Sequence, residues 1–430
     1  MVYVIAKNGQ PLMPTKRYGK VRRLLKAHKA KVVHKCPFTI QLTYESTTHK
    51  QPVEVGDDTG SRHNGLSAVI LLPDGRKIEV YVSEVLMRTD ITDLLSTRRE
   101  FRRARRNRTT RYRAPRFNNR VRTKNKGWLP PSIENKILTH LRELRFVCSI
   151  LPVTKVTIET ASFDLQKLKA DLKNLKRPQG EEYQQGEQLD FWNVREYVLF
   201  RDGHVCQCCK GKSKDKILNV HHKESRKTGG NAPDNLVTLC EICHKGYHAG
   251  TVKLPDKIKR GTSFKDATFM GIMRWTFFNR VKEELSAQGI EVRMTYGYIT
   301  KHKRIKAGLE KSHCIDARVI SGHPKAEPLG YYFLKKKVRC HNRQIHKATI
   351  GKGGYRKPNQ ADRYVKGYKL YDMVRYNGRV YTVFGRRTSG FFDIRTLDGN
   401  KVNNGSVSYK KLKFIDNQQS VLVERRKDTA

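Results

Sequence analysis

The sequence is poor in acidic residues and lacks long apolar stretches. Only 40 aspartate and glutamate residues stand against 88 lysine and arginine residues among 430, which leaves a formal net charge of +48. Self-repulsion at this charge opposes a compact fold, so a polyanionic partner is expected, and nucleic acid explains the excess best. The absence of any apolar run near the length of a spanning helix, and of a lipidation signal, argues against a membrane as that partner.

A disulfide framework and a secretory signal are also missing. Of nine cysteines, four have the spacing of a zinc site and five are scattered, which indicates a reducing compartment. The first residues predict a strand and a turn, and no apolar signal region follows. We therefore expect a cytoplasmic prokaryotic protein of about two to four domains, associated with the nucleoid when it is on DNA.

Cysteine and histidine residues concentrate between positions 205 and 248. Two Cys-x-x-Cys pairs enclose a double histidine and an asparagine, and a further histidine follows directly. In chain order these residues are Cys206, Cys209, His221, His222, Asn235, Cys240, Cys243 and His244. Four thiolates at this spacing predict a closed tetrahedral zinc site. Cys208 could replace either neighbour, although the spacing favours Cys206 and Cys209.

The histidines and the asparagine are left over from the zinc ligands, and they suit a hard catalytic cation and a polarised water. Their order resembles the HNH nuclease module and predicts phosphodiester cleavage. The resemblance implies that His221 and His244 bind the cation, that His222 is the general base, and that Asn235 holds the loop carrying His222. A zinc ribbon with incidental surface histidines is the alternative.

An arginine-rich segment runs from Arg98 to Arg122, with twelve arginines in twenty-five residues and a single acid. Its first half predicts a helix that starts at Ser96 or Thr97, and Pro115 should end or kink it. A solvated charged face is the alternative, but interleaved aromatics favour a helix bound to RNA. The predicted RNA-binding residues are Arg98, Arg99, Arg102, Arg103, Arg105, Arg106, Arg108, Arg111 and Arg113.

Three acids lie at the ends of predicted core elements. Asp58 and Glu159 end strands, and Asp316 opens a helix one turn after His313. Together they resemble a RuvC-type ribonuclease H site, in which carboxylates hold two divalent cations about 3.5–4 Å apart. His313 would bind metal or orient the water. Asp57, where that family usually has an apolar residue, either shares metal binding or is an exposed bystander.

The order of these motifs resembles the IscB family, compact transposon-encoded RNA-guided endonucleases related to the large RNA-guided nucleases of CRISPR systems. An N-terminal Pro-Leu-Met-Pro motif at 11–14, read as a loop, is part of the resemblance. The implied fold is α/β and multidomain: a split RuvC core with an arginine-rich bridge helix, an inserted ββα-metal HNH module and a small C-terminal β-barrel-like domain. Tyr368–Tyr371, Arg379–Phe384 and Phe391–Leu397 are expected to be strands of that last domain.

The expected domain boundaries follow from this resemblance. They are 1–50 for the Pro-Leu-Met-Pro domain, 51–95 for RuvC part I, 96–126 for the bridge helix, 127–189 for RuvC part II and a linker, 190–255 for the HNH module, 256–321 for RuvC part III, and 322–430 for a C-terminal domain that contacts the RNA and the target flank.

The resemblance implies an RNA-guided DNA endonuclease that acts as a monomeric ribonucleoprotein. A transposon-encoded guide RNA would pair with one strand of double-stranded DNA beside a short flanking motif. The HNH site would cut the paired strand and the RuvC site the displaced one, with Mg²⁺ or Mn²⁺ at both sites and a structural Zn²⁺. The alternatives are a protein-only HNH endonuclease and a nuclease-dead, RNA-binding regulator of transposition.

Overall fold

The computed structural model describes residues 1–106, 127–160, 193–224, 232–255, 265–341, 349–355 and 361–428, excluding the side chains of 105, 106 and 265–268. The chain forms two compact units, one of Met1–Ser162 with Phe269–Ala430 and one of Phe163–Thr268. Among the described residues, no helix has the length and apolar character needed to cross a membrane.

Eight helices lie in the described part of the chain. They are α1 (Tyr18–Lys26), α2 (Ile91–Arg106), α3 (Pro131–Ile150), α4 (Val194–Arg201), α5 (Glu241–His248), α6 (Lys265–Ser286), α7 (Gly297–Lys306) and α8 (His313–Ile320). Short 3₁₀ turns lie at Pro233–Asn235, Asn403–Gly405 and Tyr409–Lys411.

Strands form the rest of the regular structure. They are β1 (Val2–Ile5), β2 (Pro11–Thr15), β3 (Ala30–Lys35), β4 (Phe38–Leu42), β5 (Val53–Thr59), β6 (His63–Leu71), β7 (Lys77–Leu86), β8 (Val153–Glu159), β9 (Leu218–His222), β10 (Leu236–Cys240), β11 (Glu291–Thr295), β12 (Tyr331–Lys337), β13 (Met373–Tyr376), β14 (Arg379–Arg386), β15 (Phe391–Arg395), β16 (Val407–Ser408), β17 (Lys413–Asp416) and β18 (Val421–Lys427).

A seven-stranded mixed sheet is the centre of the first unit, in the order β11-β8-β5-β6-β7-β12-β18. Strands β5, β6 and β7 form an antiparallel meander. By contrast, β8 pairs in parallel with both β5 and β11. Parallel pairing brings the carboxyl ends of these three strands to one edge of the sheet.

Helices cover both faces of this sheet. Apolar residues of α3 and α6, among them Ile137, Leu144 and Phe277, pack with those of the central strands in the largest core cluster. Helix α8 contacts β5 and β6. The buried run of β6, in which all seven residues from Asn64 to Ile70 are buried, reflects this coverage on two sides.

Two smaller sheets complete the first unit. The N-terminal sheet has the order β2-β1-β4-β3 and buries Val21 of α1 in its own core. The prediction of a loop at residues 10–14 was wrong, because Pro11–Thr15 forms strand β2 and pairs with β1. A strand with two prolines is possible here because β2 lies at the sheet edge, where missing N–H donors cost little.

The C-terminal sheet is antiparallel, in the order β16-β15-β14-β13-β17. The predicted strands at 379–384 and 391–397 are present as β14 and β15. The prediction for Tyr368–Tyr371 was wrong. This segment makes a turn after an isolated bridge, and Tyr371 has a φ of 70°, which is incompatible with an extended strand.

Helix α2 begins at Ile91, so the predicted start at Ser96 or Thr97 was wrong. Ser96 donates to Glu100 and Thr97 donates to the Asp93 carbonyl, so neither hydroxyl caps backbone N–H groups. Arg98, Arg99, Arg102 and Arg103 are exposed on this helix. The side chains of Arg105 and Arg106, and all of Arg108, Arg111, Arg113 and Pro115, lie outside the described residues.

The second unit is built on a two-stranded antiparallel sheet. Strands β9 and β10 pair from Leu218↔Cys240 to His222↔Leu236. Helix α4 buries Val198 against one end of this hairpin-like pair. Helix α5 follows β10 directly and carries Cys243 into a second cluster made largely of cysteines. A sheet of two strands is marginal by itself, so this unit depends on other links.

Candidate functional site

In the first unit, two neighbouring strands bring Asp58 and Glu159 to the same edge of the sheet. The register of β5 and β8 pairs Asp57 with Ile158, so the next residues are Asp58 and Glu159. Glu159 accepts a hydrogen bond from Thr300 at 2.5 Å, and its backbone carbonyl accepts one from Thr59. A Cβ at Gly297 would lie 2.9 Å from Glu159, so the start of α7 passes close to this carboxyl.

Two glycines let helix α8 approach the sheet closely. A Cβ at Gly56 would overlap the Ala317 carbonyl, and one at Gly65 would overlap the His313 carbonyl. Ser312 caps the helix by accepting from the Ile315 N–H at 3.1 Å. The close approach places His313 Nδ1 2.7 Å from Asp58 Oδ2.

A buried ion pair fixes the other end of α8. Arg318 donates to Glu79 of β7 at 3.0 Å, and Ser67 of β6 donates to the same carboxylate oxygen at 2.6 Å. Glu79 is fully buried and Arg318 is 7% exposed. Removing one partner of such a pair would leave an uncompensated buried charge, so the pair strongly favours this one position of the helix.

Asp316 faces a cation from α7. The Asp316 Oδ1 and Arg304 Nε atoms lie 2.8 Å apart, without the alignment of a hydrogen bond, and both side chains are largely buried. Sequence reasoning missed Arg304 and Thr300, which hold Asp316 and Glu159. The two residues lie one helical turn apart on α7, which follows β11, and only the position of β11 beside β8 in the sheet shows that α7 reaches the site.

The acids of this edge influence one another. Burial raises the pKa of Glu159 to about 7, and the charges of Asp58 and Asp316 add to the rise. Burial and Asp58 also raise the pKa of Asp316, while the hydrogen bond to Asp58 raises the pKa of His313. Neighbouring carboxylates repel one another when they are ionised. Divalent cations that prefer oxygen ligands, such as Mg²⁺, bind to sets of carboxylates of this kind.

Asp57 is not an exposed bystander, and that prediction was wrong. The side chain is fully buried, and it points to the opposite face of β5 because side chains alternate along a strand. In the amide orientation that places the side-chain nitrogen of Asn64 next to Asp57, this nitrogen donates to Asp57 Oδ1 at 2.6 Å and to the Asp58 carbonyl at 2.9 Å. Burial holds the pKa of Asp57 well above its ordinary value.

A cavity of about 280 Å³ lies on the same face as α7 and α8. Its lining includes Thr300, which holds Glu159, and the cations Lys155, Arg293 and Lys303. Lys155 and Arg293 are paired with Glu54 and Glu291, and Lys303 is exposed. The surface beside the carboxylates is therefore basic and polar.

In the second unit, the four predicted zinc ligands come together. The sulfur atoms of Cys206, Cys209, Cys240 and Cys243 all lie within 4.8 Å of one another, and Cys208 is not part of the group. Ser213 lies 3.3 Å from Cys209 Sγ and 3.2 Å from Cys240 Sγ. Four converging, mostly buried cysteines that form no disulfide fit a tetrahedral zinc ion, and this cluster could bind one.

Three histidines form a separate group in this unit. His221 of β9 and His244 and His248 of α5 offer ligand nitrogens within 4.8 Å of one another. Sequence reasoning missed His248, although its position one turn after His244 on a helix places both on one face. Within the described part of the chain, the buried His221 Nε2 has no hydrogen-bond partner, and burial lowers the pKa of His221 to about 4. A neutral, unpartnered imidazole fits a metal ligand.

Asn235 is fully buried at the end of the 3₁₀ turn directly before β10, whose first residue, Leu236, pairs with His222. Its side chain accepts from the Glu224 N–H at 2.8 Å and donates to the Glu224 carbonyl at 3.1 Å. Its own carbonyl accepts from Lys223. These bonds hold the chain directly after His222, which is the last residue of β9 and is half-buried.

Two family models match the chain. One, described as "RRXRR protein", matches residues 2–186, and one, described as "HNH endonuclease", matches residues 206–250. The HNH match supports a nuclease. The two matches in this order fit an IscB-like RNA-guided nuclease, so the resemblance inferred from the sequence is confirmed.

Among curated proteins, none matches this chain. Similar solved structures include Streptococcus thermophilus Cas9 in complex with AGGA PAM, at 12% identity and a TM-score of 0.30, covering 48% of this chain and 27% of that one. The Type II-C Cas9 enzyme from Actinomyces naeslundii has 12% identity and a TM-score of 0.26, covering 64% and 60%. The chain therefore spans less than two thirds of the length of these structures.

Proposed function

We propose that this protein is an RNA-guided DNA endonuclease with two nuclease sites. A transposon-encoded guide RNA would supply sequence recognition by pairing with one strand of a double-stranded DNA target, and the protein would read a short motif beside the target. The formal charge of +48 supports this, because a protein that binds both an RNA and a DNA must neutralise many phosphates.

The observation that carries the proposal is the convergence of Asp58, Glu159, His313 and Asp316 from three distant parts of the chain. Such a set fits the split RuvC core and its domain boundaries given above. Asp58, Glu159 and Asp316 would hold Mg²⁺ or Mn²⁺, which when bound activates water and stabilises the leaving oxygen. His313 would orient the water. The cation would replace Arg304 as the positively charged partner of Asp316.

The histidine group of the second unit supports a second, HNH-type site. His221, His244 and His248 would hold a divalent cation. His222 would act as the general base, because it lies directly beside the proposed ligand His221 at the end of β9 and offers a ring nitrogen that can accept a proton. Asn235 would keep His222 in position through its bonds to Glu224. Zinc held by the four cysteines would maintain the unit without taking part in the chemistry.

Strand-specific cleavage by the purified ribonucleoprotein tests this assignment. On DNA with separately labelled strands, we expect His222→Ala to abolish the cut of the guide-paired strand and to leave the displaced-strand cut. Asp58→Ala should do the opposite, because each site works on one strand. RNA that copurifies in equal amount with the chain should determine which DNA is cut.

Matched variants show whether these losses are local. His204→Asn removes an exposed imidazole of the second unit from a position with φ of 54°, which asparagine tolerates, so both cuts should persist. Cleavage that continues after the RNA is removed would replace the proposal with a protein-only nuclease. Loss of both cuts in either single variant would contradict two independent sites.

A further inference from the structure

A second group of potential ligands lies beside the carboxylates of the first unit. His63 opens β6, Glu84 lies near the end of β7, and His313 opens α8. Their ligand atoms all lie within 4.8 Å of one another. His63 Nδ1 is 2.8 Å from Glu84 Oε1, and the two imidazole rings stack at 5.0 Å with an angle of 8° between them.

The fold builds this group through a missing side chain. Gly65 is the partner of Glu84 in the β6–β7 register, so β6 presents no side chain directly opposite Glu84. The backbone of His313 fills this space, since a Cβ on Gly65 would overlap its carbonyl. The imidazole of His313 is thereby brought between Asp58 on one side and the pair of His63 and Glu84 on the other.

We propose that His63, Glu84 and His313 form a binding site for a zinc-class divalent cation, distinct from the carboxylate site for Mg²⁺. Two imidazoles and one carboxylate suit Zn²⁺, Co²⁺ or Ni²⁺, whereas Mg²⁺ prefers oxygen ligands alone. Three protein ligands leave a fourth position open for water. All three side chains are partly exposed, so an ion can reach them from solvent.

Occupancy of this site antagonises the carboxylate site. His313 Nδ1 already contacts Asp58, which leaves Nε2 for the cation, and a carboxylate that holds the far nitrogen of a ligand histidine strengthens such a site. Asp58 is then held by His313 and is less available to Mg²⁺. The bound zinc-class ion also repels a second divalent cation placed near Asp58. Zinc should therefore inhibit the Mg²⁺-dependent activity of this edge. This consequence rests on the proposed function, whereas zinc binding itself does not.

Counting bound zinc tests the site directly. The whole ribonucleoprotein, carrying His244→Ala and His248→Ala to remove the other histidine group, is dialysed against Zn²⁺ and its zinc content is measured. We expect His63→Phe to lower the content by one ion per chain, because phenylalanine keeps a ring against His313 and offers no ligand. His302→Phe, at an exposed histidine of α7, should leave the content unchanged. Equal zinc content in the His63→Phe and parent proteins would overturn the proposal.

Inhibition gives a second measurement on the same variants. With Mg²⁺ present, Zn²⁺ should inhibit the displaced-strand cut, and His63→Phe should raise the half-inhibiting zinc concentration by roughly 10- to 100-fold, the usual effect of removing a metal-site partner. An unchanged concentration would overturn the antagonism. A chain that binds the extra zinc but cuts no DNA would instead refute the proposed nuclease function and leave the zinc site standing.

Discussion

The two candidate centres are held in place in opposite ways. The carboxylate centre of the first unit takes its residues from β5, β8 and α8, which are far apart in sequence, and packing within a large hydrophobic core holds them. The histidine centre of the second unit takes its residues from one strand and one helix within 28 positions (248 − 221 + 1). Beside it lies a small core made largely of cysteines.

This difference separates two sources of stability. In the first unit, burial of many apolar side chains supplies the free energy that fixes the site, so a metal would be needed only for the proposed chemistry. In the second unit, a two-stranded sheet and short helices bury little apolar surface, so we expect the proposed metal–thiolate bonds to supply most of the folding free energy. The two centres should therefore fail under different perturbations.

The largest expected effect is the loss of a zinc ligand. Cys240→Ser should unfold the second unit, because zinc binding is worth on the order of 10 kcal/mol in small zinc modules. Hydrogen exchange should become fast in the described residues between 193 and 255 and stay slow in the seven-stranded sheet. Cys208→Ser, outside the four-cysteine group, is the control and should change neither. Slow exchange in Cys240→Ser would contradict the zinc role.

The converse perturbation is a methyl group between β5 and α8. Gly56→Ala would place Cβ against the Ala317 carbonyl and 2.5 Å from the Ser321 N–H. We expect the free energy of unfolding of the first unit to fall by about 1–3 kcal/mol, and the displaced-strand cut to be lost as His313 and Asp316 move away. Urea unfolding and strand-specific cleavage measure these effects.

Gly19→Ala is the matched control, since a Cβ there meets no atom of the described residues within 4 Å and α1 tolerates alanine well. The guide-paired strand should still be cut by Gly56→Ala. Full displaced-strand cleavage by Gly56→Ala would show that close helix packing is not what positions this centre.

The two centres should also respond to pH with opposite sign. Before divalent cations bind, burial raises the pKa of Glu159 to about 7 and lowers that of His221 to about 4. The stabilising contribution of Glu159 is thus full below pH 4.5, its ordinary pKa, and is lost as the pH rises through 7. The stabilising contribution of His221 is full above pH 6.5, its ordinary pKa, and is lost as the pH falls through 4.

Glu159→Gln should accordingly flatten the pH dependence of unfolding of the first unit between pH 5 and 8 in Mg²⁺-free buffer. The difference from the parent protein should reach roughly 3 kcal/mol, since each unit of pKa is worth about 1.4 kcal/mol. Denaturant unfolding at the two pH values measures it. Parallel pH profiles for variant and parent would show that Glu159 is not perturbed by its site.

The smallest expected effect concerns the exposed arginines of α2. Replacing Arg98, Arg99, Arg102 and Arg103 with glutamine should weaken RNA binding and lower its salt slope by about 0.7–0.9 for each RNA phosphate that the helix no longer neutralises. Neither metal centre should change. Arg76→Gln is the control, because the Arg76 guanidinium pairs with Asp74 at a turn. An unchanged salt slope in the fourfold variant would mean that this helix face is merely solvated.

Short-range features of both centres were predictable from the sequence. The Cys-x-x-Cys pairs and the turn between His313 and Asp316 involve residues a few positions apart, where covalent geometry fixes what can meet. Strand ends at Asp58 and Glu159 followed from apolar runs and turn residues. Even so, His248 was overlooked, although helical spacing from His244 was enough to find it.

Features that depend on strand order were not predictable. Nothing local indicates that Gly65 leaves room for His313, or that Arg318 of α8 pairs with Glu79 of β7. The segments at Pro11–Thr15 and Tyr368–Tyr371 were misassigned because edge position and a positive φ are set by neighbours in space. The conformation of these segments depends on contacts with residues distant in sequence, and such contacts cannot be inferred from one sequence alone.

The paired acids of β5 have a consequence for how the strand finds its alignment in the sheet. Asp57 and Asp58 point to opposite faces, so a slip of one residue in register would send the carboxyl of Asp58 into the core and turn the buried carboxyl of Asp57 towards α8. Asn64 contacts both the Asp57 side chain and the Asp58 carbonyl, and these bonds exist in one register only. The buried Asp57 thereby favours the correct register of β5 over the register that is shifted by one residue.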